Sequence, residues 1–183
     1  MTSEKHLKLL LPYYVKEYRN IISPELANEI ITQPDLKFFP ATAGGGKTNE
    51  ARRCYVKELE PKFKEKISTI FKDLFKSYIQ ELKFFDGLKM EDSGYDHLLY
   101  KAEESHEYKE HVDHSQFMKP RVLSCSLLLN DDYQGGNFSF FGGEHVISRL
   151  AYSAVVFPSN PCFPHSITPI YQGDRHSIIS WVH

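Results

Sequence analysis

The chain is poor in cysteine: Cys54, Cys125 and Cys162 are the only three in 183 residues, and no two are close in sequence. An odd count without close pairs excludes a disulfide scaffold and points to a reducing compartment. No apolar run approaches membrane length. The stretch from Leu7 to Leu11 is broken by Lys8 and closed by Pro12, which is too short for a signal-peptide core. These absences imply a cytoplasmic location and no membrane partner. Charge of one sign is also lacking. Lys and Arg number 22 against 24 Asp and Glu, a net of -2, so nothing argues for a nucleic-acid surface. There is no internal repeat, low-complexity stretch or linker to divide the chain.

What remains is an ordinary globular balance of 41% hydrophobic and 25% charged residues, enough for one real core. Aromatics reach 14%, mostly Phe and Tyr, which favours a β-rich interior. Residues 7–18 read as an extended entry. Ser23-Pro24 then marks a helix start, with the cap residue followed by proline at the first helical position, and Pro34 closes that helix. Residues 40–50 form a glycine-rich loop, and 52–59 read as a strand. From Pro61, the apolar positions Phe63, Ile67, Ile70, Phe71, Leu74, Phe75, Ile79 and Leu82 recur at threes and fours, predicting a long amphipathic helix. Its stripe is read as core packing, without a functional role.

After about residue 90 the pattern changes to short strands punctuated by turns: Asp131-Asp132, Gly135-Gly136, Gly142-Gly143, Pro158 to Pro161, and Gly173-Asp174. About eight strands at even spacing without intervening helices predict a double-sheet jelly roll. The expected fold is mainly β with N-terminal helices (α+β) around a double-stranded β-helix core. Residues 1–90 would form a helical and strand support packed on the core at 91–183, one structural domain in all.

The chemistry is concentrated in Glu110-His111-Val112-Asp113-His114. On a strand, residues two apart share a face, so His111 and Asp113 would point together and form half of a metal site. A third ligand must arrive from another strand, and His165 is the best candidate. Two imidazoles and one carboxylate on one face of an octahedron leave three open positions, which suits non-haem iron(II). Ten residues after His165 stands Arg175. If both face the sandwich interior, the buried guanidinium needs an anion, and a dicarboxylate co-substrate supplies one through a forked pair. Ser177, two residues on, can add a hydroxyl.

Together, Tyr108-x-x-His111-x-Asp113, Leu129-Asn130-Asp131 with Gly135-Gly136-Asn137-Phe138, Phe157-Pro158-Ser159 before His165, and Gly173-Asp174-Arg175-His176-Ser177 followed by Trp181 resemble the 2-oxoglutarate/Fe(II) dioxygenase superfamily. The similarity is greatest to its prolyl 4-hydroxylase-like branch, and it covers about residues 97–182. The resemblance implies iron(II) on His111, Asp113 and His165, and 2-oxoglutarate as co-substrate. Its distal carboxylate would meet Arg175, with Ser177 assisting. Tyr108 and Tyr100 would line the pocket, either able to hydrogen-bond the co-substrate. Leu128 falls where some relatives carry a further co-substrate tyrosine. O2 is the other partner, ascorbate an accessory ligand, and a peptide or protein the expected substrate, with peptidyl-proline 4-hydroxylation as the expected reaction. The same chemistry on another side chain or a small molecule, a jelly roll without turnover, and a zinc hydrolase are the alternatives. The last gives no reason for Arg175 and Ser177.

Each residue also has a structural explanation. His111 or Asp113 alone would usually be an ordinary strand residue, and only the joint pattern argues ligation. His114 should face away from Asp113. His145 could replace His165, but no arginine follows it at the ten-residue spacing. His106, His176 and His183 are read as ordinary, Trp181 as core, and Cys125 and Cys162 as small core fillers. Arg121 belongs either to the surface or to the cleft. Residues 41–48 imitate a phosphate-binding loop, but Pro40 precedes them and strand-like sequence follows, where a helix is required. Residues 42–47 are better read as a lid over the substrate entrance.

Overall fold

The computed structural model describes residues 11–34, 36–42, 50–83, 87, 91–114 and 119–183. In chain order the elements are β1 (Lys16–Tyr18), α1 (Pro24–Ile31), β2 (Phe39–Pro40), β3 (Arg52–Arg53), β4 (Tyr55–Glu58) and α2 (Pro61–Glu81). There follow β5 (Asp96–Lys101), β6 (Glu107–His111), β7 (Leu123–Leu128), β8 (Gln134–Gly135) and β9 (Phe138–Phe140). The chain closes with β10 (His145–Val146), β11 (Ser153–Pro158), β12 (His165–Ile167), β13 (Ile170–Gln172) and β14 (Asp174–Val182).

The strands form a jelly roll. A seven-stranded sheet runs β1-β11-β7-β14-β5-β4-β2, and a five-stranded sheet runs β10-β9-β12-β6-β3. All their pairings are antiparallel. Strands from before residue 90 extend both sheets: β4 pairs with β5, and β3 with β6.

Both helices form where the sequence predicts them. The Ser23 hydroxyl accepts from the Leu26 amide at 3.2 Å, and Pro24 stands where a missing N–H costs nothing. The stripe Phe63, Ile67, Phe71, Leu74, Phe75 and Tyr78 of α2 is buried. It packs on Leu123, Cys125, Leu127, Ala154, Val156, Ile178 and Val182 from β7, β11 and β14. Each large apolar side chain so buried contributes roughly 1.5–3 kcal/mol, less whatever the unfolded chain already hides. The helix thereby covers one face of the large sheet and leaves its other face for the site.

One element differs from expectation. Residues 11–14 are helical, with the Val15 amide bonded to the Leu11 carbonyl at 2.8 Å; of the extended entry expected at 7–18, residues 16–18 form β1 and residues 7–10 lie outside the described residues. Residues 43–47 of the expected lid lie outside the described residues. On either side of that loop stand the short strands β2 and β3, and none of the described residues there begins the helix a phosphate loop would open. Among the described residues, no helix is long and apolar enough to cross a membrane.

A candidate metal centre between the sheets

Strand alternation builds the cleft. Along β14, Arg175, Ser177, Ile179 and Trp181 line its wall, while Ile178 and Val182 turn to the helix side. Along β7, Ser124 and Ser126 face the cleft, and Leu123 and Leu127 face α2. The small sheet contributes Tyr108, His111, Phe138, His165 and Ile167 to a cleft that is open at its mouth.

Residues 54 positions apart meet here because β6 and β12 are antiparallel neighbours with His111 directly opposite His165. Their ring centroids are 4.3 Å apart. His111 Nδ1 lies 2.9 Å from the Lys109 carbonyl oxygen, and His165 Nδ1 lies 3.0 Å from that of Phe163. A carbonyl only accepts, so each Nδ1 carries the proton and each Nε2 keeps its lone pair. His111 Nε2 is 3.7 Å from Asp113 Oδ1, and His165 Nε2 is 3.7 Å from Asp113 Oδ2. One donor atom from each residue falls within a 4.8 Å cluster. Two donors bonded at about 2.1 Å to one ion stand roughly 3–4 Å apart, so the set fits a divalent cation.

The expected strand through Asp113 is a correction. β6 ends at His111, and residues 112–114 have left the sheet. Hydrogen bonds from the large sheet orient the carboxylate instead: Ser124 Oγ donates to Oδ2 at 2.6 Å, and Trp181 Nε1 donates to the same oxygen at 2.9 Å. Ser159, from the Phe157-Pro158-Ser159 motif, bonds Ser124 at 2.7 Å. Burial alone would raise the Asp113 carboxyl, but His165, His111 and these two donors outweigh it and hold it below the usual range. Burial, then the neighbouring His165, pushes His111 down to about 4. At neutral pH the carboxylate is therefore ionised and the His111 imidazole neutral, the forms a metal ion requires.

Tyr108 reaches the same side as His111 through an irregularity. On a regular strand, residues three apart face opposite ways. The β6–β12 register shifts between these residues, with His165 opposite His111 but Ile167 opposite Tyr108, so β6 carries one extra residue. The Tyr108 ring then stacks on His111 at 3.4 Å with 13° between planes.

Arg175 lies deeper, paired across the sheet with Tyr100 of β5, its guanidinium carbon 5.3 Å from the Tyr100 ring centroid. Only 3% of it is exposed. Nη1 donates to Ser177 Oγ at 2.9 Å, and the buried Nε has no hydrogen-bond partner. No carboxylate among the described residues pairs with it. A buried cation in this state is prepared for an anion. Gly136, with φ 58°, lets the chain pass behind it; a Cβ there would meet Arg175 Cδ at 3.2 Å.

Other expectations need correcting. Trp181 is half-buried in the cleft wall and bonded to Asp113, not a core residue; the period-two run Arg175, Ser177, Ile179, Trp181 already carried that signal. Cys162 is exposed, whereas Cys125 is buried as expected. Arg121 belongs to the cleft, with its guanidinium carbon 3.6 Å from the Trp181 ring centroid. Arg52, over the Tyr108 ring at 5.1 Å, also lines the cleft and carried no sequence signal. His114 is exposed. Among the described residues His145 joins no metal-ligand cluster. His176 is bonded instead to His97, Nδ1 to Nε2, at 3.0 Å.

The jelly roll thus gathers two imidazoles and a carboxylate in one cleft, with an arginine behind them. The family model of the 2OG-Fe(II) oxygenase superfamily matches residues 97–183 of the chain. The fold is shared with a Pseudomonas putida prolyl-4-hydroxylase at TM-score 0.74 and 20% identity, covering 98% of each chain. It is shared as well with a Trichoplax adhaerens prolyl hydroxylase solved with a hypoxia inducible factor peptide fragment (TM-score 0.74, 16% identity, 98% of this chain and 89% of that). A viral collagen prolyl hydroxylase from Paramecium Bursaria Chlorella virus-1, solved with 2OG, matches at TM-score 0.69 and 15% identity over 92% and 95%. None of the curated proteins matches the chain.

Proposed function

We propose that the chain is an Fe(II)- and 2-oxoglutarate-dependent dioxygenase that hydroxylates a substrate C–H bond, with peptidyl-proline, at its 4-position, as the target. The supporting observation is that His111, Asp113 and His165 share one cleft with the buried, carboxylate-less Arg175. His111, Asp113 and His165 hold the iron. Arg175 binds the far carboxylate of 2-oxoglutarate, with Ser177 fixing the guanidinium and Tyr100 flanking it. Burial pushes the Tyr100 hydroxyl well above its ordinary range, so it stays a neutral hydrogen-bonding group beside the co-substrate. Tyr108 braces the His111 ring. Bound iron(II) supplies O2 activation coupled to decarboxylation of 2-oxoglutarate to succinate and CO2. Leu98, Phe138, Phe157, Ile167 and Ile179 exclude water around the reacting atoms.

Proline as target is supported by the fold shared with prolyl hydroxylases, one of them holding a peptide. Ascorbate as an accessory rests on the same likeness and on no residue of this chain. A cytoplasmic site of action is supported by the three free cysteines. The test is succinate release with Fe(II), 2-oxoglutarate and O2 across proline-rich peptides, with mass spectrometry locating the added oxygen. Hydroxylated proline is expected. Succinate with unmodified proline would move the substrate elsewhere. No succinate with any substrate, and no visible band from anaerobic Fe(II) plus 2-oxoglutarate, would end the oxygenase reading.

A further inference from the structure

We infer that Trp181 is a positioning residue that makes Asp113 a one-oxygen ligand and so preserves the three open positions the reaction needs; this rests on the proposed metal centre. The backbone does not hold Asp113, since its strand has ended two residues earlier. Its carboxylate is fixed from across the cleft, by one rung of the large sheet. Trp181 of β14 and Ser124 of β7 are register partners, and both donate to Oδ2. A carboxylate oxygen has two lone-pair directions, and two donors fill them. Oδ1 alone remains for an ion. A carboxylate binding through both oxygens would take a second coordination position, leaving two where a chelating keto acid and O2 together need three.

The indole is itself clamped. The Arg121 guanidinium carbon lies over it, 3.6 Å from the ring centroid, a contact that restrains the ring and draws electron density from the N–H, strengthening it as a donor. The hydroxyl partner is likewise steered. Ser159 can donate to Ser124, leaving the Ser124 proton for Asp113. The indole N–H has no rotor and accepts nothing, so it fixes the carboxylate plane as a serine alone cannot.

Because Trp181 is the one tryptophan of the chain, both its bond and its loss are directly readable. In Trp181→Phe the ring and the Arg121 platform persist and only the donor goes. Co(II), titrated alone under anaerobic conditions, is expected to bind this variant about tenfold more weakly, with an altered visible spectrum from the changed carboxylate mode. In the unsubstituted protein, the single indole N–H resonance should be protected from exchange and should shift on adding Zn(II). Equal Co(II) affinity and an identical spectrum in Trp181→Phe would overturn the inference. If that variant fails to fold, an indole N–H that exchanges freely and ignores Zn(II) would overturn it. Failure of the unsubstituted protein to bind Co(II) or Zn(II) at all would instead sink the metal centre.

Discussion

Replacing Arg175 with methionine should move two properties in opposite directions. In the protein alone the guanidinium is a buried charge with one serine hydroxyl and one aromatic face for company. Such a charge is costly to desolvate, and an apolar side chain of similar length fills the same space without that cost. The substituted protein should therefore be as stable as the original, or more so. Binding of 2-oxoglutarate should suffer. The far carboxylate would enter a buried site without its cation, a loss of about 2–4 kcal/mol. At 1.4 kcal/mol per tenfold, that raises Kd roughly thirty- to several-hundred-fold. Calorimetry with Zn(II) in place of iron measures the affinity without turnover, and thermal melts with and without 2-oxoglutarate measure the stability. The unsubstituted protein should gain about 2.7 kcal/mol at a hundred times Kd, and the variant almost nothing. A variant that loses stability alone yet binds 2-oxoglutarate normally would refute the reasoning, because Arg175 would then be a structural cation whose partner is the protein.

Three further outcomes are expected. His165→Ala should abolish stoichiometric Fe(II) or Co(II) binding, read by metal analysis after gel filtration, while the circular dichroism spectrum is kept; retained metal would move the third ligand elsewhere. Gly136→Ala, forced to φ 58° and pressed on Arg175 Cδ, should cost about 1–2 kcal/mol in urea unfolding and weaken 2-oxoglutarate as well; unchanged co-substrate affinity would separate the turn from the site. Stability should also fall with acid through His97 and His176. Burial, then His176 and Lys57, lowers His97 to about 3; burial lowers His176 to about 4, with Asp174 and Asp132 opposing. Below about pH 6.5 the unfolded chain takes protons the folded one refuses. The stability is thus complete above that pH and is lost progressively down to about pH 4 and then 3. His97→Gln should flatten the urea midpoint between pH 7 and 4.5, and an identical slope in the variant would exclude the pair as its source.

Much of the site was legible because its parts sit in fixed local patterns. His111 and Asp113 stand two apart, Arg175 and Ser177 stand two apart on one strand face, and His165 opens a strand whose neighbour could be guessed. Trp181 continues that period and could have been included; its aromatic bulk favoured a core assignment, yet its N–H needed an acceptor. Arg52 was not legible as a site residue, and Arg121 was legible only as one of two alternatives, because nothing local marks a surface arginine as a cleft arginine. The route to Asp113 differs as well: its spacing from His111 predicts a strand that aims it, whereas donors on a different sheet do so.

The amino-acid order alone determined the amphipathic α2, the short-strand rhythm after residue 90, and the kinds of donor available, since each depends on spacing within a few residues. Only the tertiary structure decided which strands became neighbours. That register set His111 opposite His165, let β6 bulge so that Tyr108 could stack, and placed one rung of β7 and β14 over a carboxylate that its own strand had released. Pairing between distant strands is set by how two faces pack and by the loops that bring them round, and no local spacing encodes it.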